Sequence, residues 1–132
     1  MKIIGIGVDI VDNERIKKSI QDRNFVNRVF SKIEINYSKK IKYKSSYFAK
    51  RFAAKESLSK AIGTGFREGL NFKDITIAND NRGKPYYKLN NNVKKLIYSI
   101  FKVKKIKISL SLADEKKYSI AFSVIHKWLK KV

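Results

Sequence analysis

The stretch Phe48 to Gly65, FAKRFAAKESLSKAIGTG, constrains the chain most, because a strongly helical run empties there into a glycine turn. Ala, Lys, Arg and Glu are strong helix formers, Ser45 or Ser46 is suited to the N-cap, and Gly63 supplies a C-terminal stop. At about 100° per residue, Phe52, Glu56 and Lys60 form one row, flanked by Ala49 and Ala53. Glu56 therefore sits beside apolar residues, as a partly buried carboxylate would. The competing reading is a solvated i, i+4 pair between Glu56 and Lys60, contributing a few tenths of a kcal/mol.

Ahead of this helix, Lys2 to Val11 alternates as a strand, with Ile4, Ile6, Val8 and Ile10 on one face and Ile3, Gly5, Gly7, Asp9 and Val11 on the other. Glycines weaken a strand, so a ligand or the backbone of a packed helix must approach the Asp9 face closely. The dinucleotide fingerprint is excluded, since Ile10 stands where its third glycine belongs. Asp12 to about Phe30 turns helical, with Ile16, Ile20, Val26, Val29 and Phe30 inward and Asp12 or Asn13 as cap. Ser31 and Glu34 form a capping-box pattern for a short helix toward Tyr37, and the basic segment Lys39 to Lys44 reads as a solvated loop.

Beyond the glycine turn, Asp74 to Asn79 and Lys84 to Leu89 read as a hairpin joined by NDNRG, with Pro85 at an edge or strand start. Val93, Leu96, Ile97, Ile100 and Phe101 define an amphipathic helix. A second hairpin follows, with Ile106, Ile108, Leu110 and Leu112 alternating, a turn at Ala113 to Lys116, and a return from Tyr118. His126 is expected beyond that last strand, at the surface. The order predicts one α+β domain over residues 1–132, a small antiparallel sheet packed with helices.

Composition narrows the partners. Lys and Arg number 31 against 11 Asp and Glu, a net charge of +20, which points to an anionic partner or substrate without ranking nucleic acid, membrane, phosphorylated cofactor or acidic protein. A 43% hydrophobic content with seven Tyr and eight Phe excludes a disordered basic tail. The absence of cysteine excludes disulfides and thiolate metal sites. Asp9 interrupts the N-terminal apolar run, which does not read as a signal peptide, and no run reaches the roughly 18 apolar residues of a membrane span. A cytoplasmic protein is expected, with no membrane partner.

Asp9 on a strand, Glu56 on a helix and a Gly-Thr-Gly turn beyond it are the parts of a divalent-metal phosphate site. Mg²⁺ is commonly held by one or two carboxylates, with water and phosphate oxygens completing the shell. Lys60, one turn after Glu56, can neutralise phosphate charge, and Gly63 and Gly65 permit close approach and N–H donation. No Walker A, HExxH, CxxC or GxSxG sequence is present.

Five blocks in order, GIGVDIVDNERI, FAKRFAAKESLSKAIGTG, LNFKDI, GKPY and SLSLADEKKYSIAFSVI, resemble the holo-[acyl-carrier-protein] synthase family, the small class of 4′-phosphopantetheinyl transferases. The resemblance implies transfer of 4′-phosphopantetheine from coenzyme A to a serine of apo-acyl carrier protein, with release of adenosine 3′,5′-bisphosphate, in support of fatty-acid biosynthesis. It implies Mg²⁺ on Asp9 and Glu56, phosphate contact by Lys60, and a coenzyme A pocket shaped by Gly63, Thr64, Gly65, Gly83, Lys84 and Pro85. Arg15, with Arg28 as a second candidate, matches the surface that meets the acidic carrier. Where many relatives carry a histidine this sequence has Asp114, so Glu56, Asp114 or a metal-ordered water is left as the serine's proton acceptor. Ser57 replaces an alanine common in relatives. The fold implied is the 4′-phosphopantetheinyl transferase fold in a homotrimer with sites between neighbours. The alternative is a basic RNA-binding domain without catalysis, for which Tyr86 and Tyr87 are the adjacent aromatic pair to test.

Overall fold

Two glycines decide how the first strand meets the central helix. In this computed structural model, which describes residues 1–128, β1 (Lys2–Asp12) runs under α4 (Lys44–Ile62). A Cβ on Gly7 would lie 1.9 Å from the Ser57 carbonyl oxygen, and one on Gly5 would lie 2.3 Å from that of Ala61. The close approach at this strand is therefore that of a helix backbone, and it takes the two bare positions to admit it.

The consequence reverses the ordinary expectation for an alternating strand. The Gly7 and Val11 face is buried against α4, whereas Ile6, Val8 and Ile10 are exposed at 61%, 55% and 60%. A register shift between Ile3 and Gly5 turns Ile3 outward and Ile4 partly inward.

Three short helices follow. The helical stretch after β1 is broken at residues 20–22 into α1 (Asn13–Ser19), capped by the Asp12 carboxylate, and α2 (Arg23–Val29), capped by Asp22. The Ser31–Glu34 capping box opens α3 (Lys32–Ser38). The basic segment runs straight into α4, which starts at Lys44 behind Tyr43, with no side-chain cap. Ser46 is thus the helix's third residue, and its hydroxyl donates to Asp114 Oδ2 at 2.6 Å instead of capping. At the far end Gly63 adopts φ +94°, and its N–H caps the Ser59 carbonyl, as the glycine turn demanded.

The remaining chain adds a 3₁₀ turn at Phe72–Asp74, the hairpin β2 (Ile75–Asn79) and β3 (Pro85–Leu89), α5 (Asn91–Phe101) capped by Asn90, and the hairpin β4 (Ile106–Asp114) and β5 (Tyr118–Lys127). The strands form two antiparallel sheets, β1-β5-β4 and β2-β3. His126 lies within β5, beside Ser109 on β4, not beyond the last strand. The core is aliphatic around Ile16, Leu58, Ile75, Ile77, Ile97 and Ile125 and aromatic around Phe30, Phe48 and Phe52.

Candidate active site

The course of α4 distributes the charged residues. Its last turns lie on β1, and its first turns reach β4 at the other edge of the sheet, where Ser46 and Lys50 meet Asp114. Residues three to four apart on such a helix share a face, so each end presents its own set of side chains.

At the β1 end, Asp9 faces the helix beside Lys60, whose ammonium lies 3.0 Å from Asp9 Oδ1 and donates also to the Val8 carbonyl at 3.1 Å. Lys60 thus pairs with Asp9, and the solvated Glu56–Lys60 pair is absent among the ion pairs of the described residues. Glu56 is partly buried, and its pKa is raised, first by burial and then by the neighbouring Asp9 charge; Lys60 and Arg15 act in the opposite direction. Two carboxylates therefore converge, with repulsion between them incompletely relieved. Arg15, exposed on α1, lies with its guanidinium 5.8 Å over the Phe52 ring. Arg28 rests similarly over Phe25, at 5.9 Å.

The donor set fits a magnesium ion. No group of three or more His, Cys, Asp or Glu that could hold a metal occurs among the described residues, which argues against an all-protein zinc or calcium cage. Two carboxylates that repel each other are what Mg²⁺ takes when water and phosphate oxygens supply the remaining positions. Just past Lys60, Gly63 and Gly65 have positive φ, the Gly65 N–H reaches the Ser59 carbonyl, and Thr64 Oγ1 donates to Gly65 O. Phe66 anchors this turn by stacking on Phe72, 3.6 Å between centroids, which in turn stacks on Phe52.

Asp114 belongs to the other end. Asp9 is in register with Ala121 and Ala121 with Leu112, two residues before Asp114, which separates the two acids by roughly 12 Å at Cα from strand spacings. Asp114 instead lines a groove of about 300 Å³ together with Lys50, Arg51, Gly83, Lys84 and Pro85. One chain brings together Asp9, Glu56, Lys60 and the glycine turn, and separately Asp114 and the Gly83–Pro85 turn.

Arg51 was not anticipated in that groove. It is buried, donates to Asn79 Oδ1 at 2.6 Å and lies 3.9 Å over the Tyr47 ring, yet among the described residues its Nε has no partner and no carboxylate pairs with it. A buried cation without an anion is costly, and an anion placed in the groove would offset that cost. The available signal was the Lys50–Arg51 pair, cations with no acid three or four residues away in an otherwise apolar stretch.

The Tyr86–Tyr87 pair is split. Tyr86 is 46% exposed, whereas Tyr87 points inward and its hydroxyl meets Ala54 O, Ser123 and, at 3.3 Å, Ser57. The two rings offer no shared stacking face for bases. Ser57, in place of an alanine, is thereby absorbed in a buried hydroxyl cluster.

This fold, with its paired acids and glycine turn, is that of a transferase family: residues 5–123 match the 4′-phosphopantetheinyl transferase superfamily, and the chain belongs to it. A holo-[acyl-carrier-protein] synthase from Pelagibacter ubique is 56% identical over 127 residues, covering 96% of this chain and 99% of that protein. The structure of the Neisseria meningitidis holo-[acyl-carrier-protein] synthase superposes with a TM-score of 0.85 at 35% identity, covering 95% and 99% of the two chains. The Bacillus anthracis enzyme, solved in complex with CoA (3′,5′-ADP), gives 0.81 at 32% identity, covering 97% and 100%. Within the superfamily, the chain falls among the holo-[acyl-carrier-protein] synthases.

Proposed function

We propose that this chain transfers 4′-phosphopantetheine from coenzyme A to a serine of apo-acyl carrier protein, in support of fatty-acid biosynthesis. The observation that carries the reading is the convergence of Asp9 and Glu56 beside Lys60 at a glycine turn, in a chain 56% identical to a protein of that name. Asp9 and Glu56 would hold Mg²⁺, which supplies charge neutralisation at the pyrophosphate and leaving group. Lys60 leaves Asp9 to contact phosphate, and Gly63, Thr64 and Gly65 offer backbone to the coenzyme. The serine Oγ bonds to the attacked phosphorus, and the bond from that phosphorus to adenosine 3′,5′-bisphosphate breaks. The serine proton passes to a carboxylate or to water at the site; burial raises the Glu56 pKa in the metal-free chain, and Mg²⁺ on that carboxylate would lower it again.

The groove of Arg51, Lys50, Lys84 and Asp114 would serve a second copy's centre, receiving coenzyme phosphate, in the homotrimer that the family resemblance implies. The exposed Ile6, Val8 and Ile10, in register with Phe122 and Ile120 of β5, supply an apolar face suited to burial between copies. Arg15 and Arg28 would meet the acidic carrier. No helix among the described residues is long and apolar enough to cross a membrane, and the sequence has no cysteine, which supports a cytoplasmic setting.

The test is the mass of apo-acyl carrier protein after incubation with this protein and coenzyme A, with Mg²⁺ and with chelator in parallel. A gain of one phosphopantetheine in the Mg²⁺ arm alone is the expected result. No gain across several carriers overturns the assigned activity and leaves the fold standing.

A further inference from the structure

A concavity opens where the two sheets part company. β3 and β4 face each other without joining in one sheet, and α5 spans the gap between them. The resulting groove has a volume of about 840 Å³, within the range of roughly 300–1,000 Å³ of small-molecule sites. Leu89, Ile97, Ile106 and Ile108 make an aliphatic base, and Tyr86 and Tyr98, 46% and 47% exposed, stand at its sides.

Every charged residue lining this groove is a lysine: Lys88, Lys94, Lys95 and Lys104. None takes part in the ion pairs of the described residues, which are Lys50–Asp114, Lys55–Glu34 and Lys60–Asp9. Lysine stems lie along apolar walls while their ammonium groups stay hydrated at the mouth. The groove thus combines an aliphatic interior with a cationic entrance, complementary to a molecule that is apolar at one end and anionic at the other. Aliphatic lining suits an alkyl chain better than a planar base, and Tyr87, turned into the hydroxyl cluster, removes the paired stacking platform that a nucleic acid would use.

We propose that the β3–α5–β4 groove binds a single-chain anionic amphiphile, with its alkyl chain over Ile97, Ile106 and Ile108 and its head group among Lys88, Lys94 and Lys104. The head group's chemistry is that of a carboxylate or a phosphate, since ammonium groups satisfy either as point charges. Its occupancy is read by binding, not by activity.

Isothermal titration of the full chain with dodecanoate, dodecyl phosphate, dodecanol and dodecyltrimethylammonium, each below its micelle concentration, tests the proposal. At least one of the two anions binds saturably at one per chain, and which one does so identifies the head group. The neutral and cationic chains bind at least tenfold more weakly. The triple substitution Lys88→Gln, Lys94→Gln, Lys104→Gln lowers anion affinity at least tenfold, and Tyr98→Glu, at the exposed wall, does the same without touching the buried base. Equal binding of all four chains, as adsorption to the open β1–β5 face would give, overturns the inference. So do absence of saturable binding, unchanged affinity in both variants with their circular dichroism intact, and binding of an oligouridylate at these lysines in place of the amphiphiles.

Discussion

Lys55 and Glu56 are neighbours on α4, yet their surroundings are opposites. Lys55 and Glu34 are both fully buried, 2.7 Å apart; Lys55 places its other two donors on the Phe72 and Ile75 carbonyls, and both Glu34 oxygens are met, Oε1 by Lys55 and the Ser31 N–H and Oε2 by the Ile77 N–H. Burial lowers the Lys55 pKa and Glu34 acts against that shift. Glu56, by contrast, shares its site with a second acid, and the nearest cation is taken up by Asp9. A charge cluster whose members complete one another ties α3, α4 and β2 together; one whose members do not is a candidate functional site.

The contrast breaks most visibly at the buried pair. Removing one partner, by Glu34→Ala or Lys55→Ala, strands a charge and is expected to cost about 3–5 kcal/mol in urea unfolding. The double substitution Glu34→Leu, Lys55→Met should recover most of that, and a cost as large as the singles would contradict the compensation described here. Asp9→Ala and Glu56→Gln should do the reverse. Each is expected to lower transfer to carrier by on the order of 100-fold or more, about 2.7 kcal/mol, while leaving the unfolding midpoint unchanged or higher. A variant that unfolds in step with its loss of activity would make Asp9 and Glu56 structural.

A neutral reference lies between the two clusters. Tyr87, bonded to Ser57 of α4, and Tyr47, whose ring lies under the Arg51 guanidinium, have pKa values raised by burial from 10.0 to about 12. The folded chain keeps these protons where the unfolded chain releases them, so their contribution is complete below pH 10.0 and lost as pH climbs toward about 12. Unfolding midpoints in that window should fall more steeply for the parent than for Tyr87→Phe. The smallest effect is at Glu56 itself. Its raised pKa means that its contribution is present below its ordinary value of 4.5 and is lost as pH rises through the folded value. Glu56→Gln should therefore be no less stable than the parent near neutrality, and should lack the thermal stabilisation by Mg²⁺ expected of the parent.

Much of this was legible in the chain. The capping box at Ser31, the Gly63 stop, both hairpins and the amphipathic α5 follow from local rules whose partners lie within a few residues. The partial burial of Glu56 could be read from Phe52 and its alanine neighbours. The start of α4 could not, because Ser46 found a better acceptor 68 positions away than the local cap. The role of Glu34 beyond its capping box was equally hidden, since Lys55 and Ile77 lie far along the chain.

By itself the sequence determined most of the elements and the family, because these depend on near neighbours and on ordered motifs. Only the tertiary structure decided that Lys60 answers Asp9, that Asp114 sits with Lys50 and Arg51 at the far edge of the sheet, and that the aliphatic face of β1 is open. The physical reason is the same in each case. Gly5 and Gly7 let α4 lie against β1 on the side a hydrophobicity pattern would have given to solvent, and that single contact sets which charges meet.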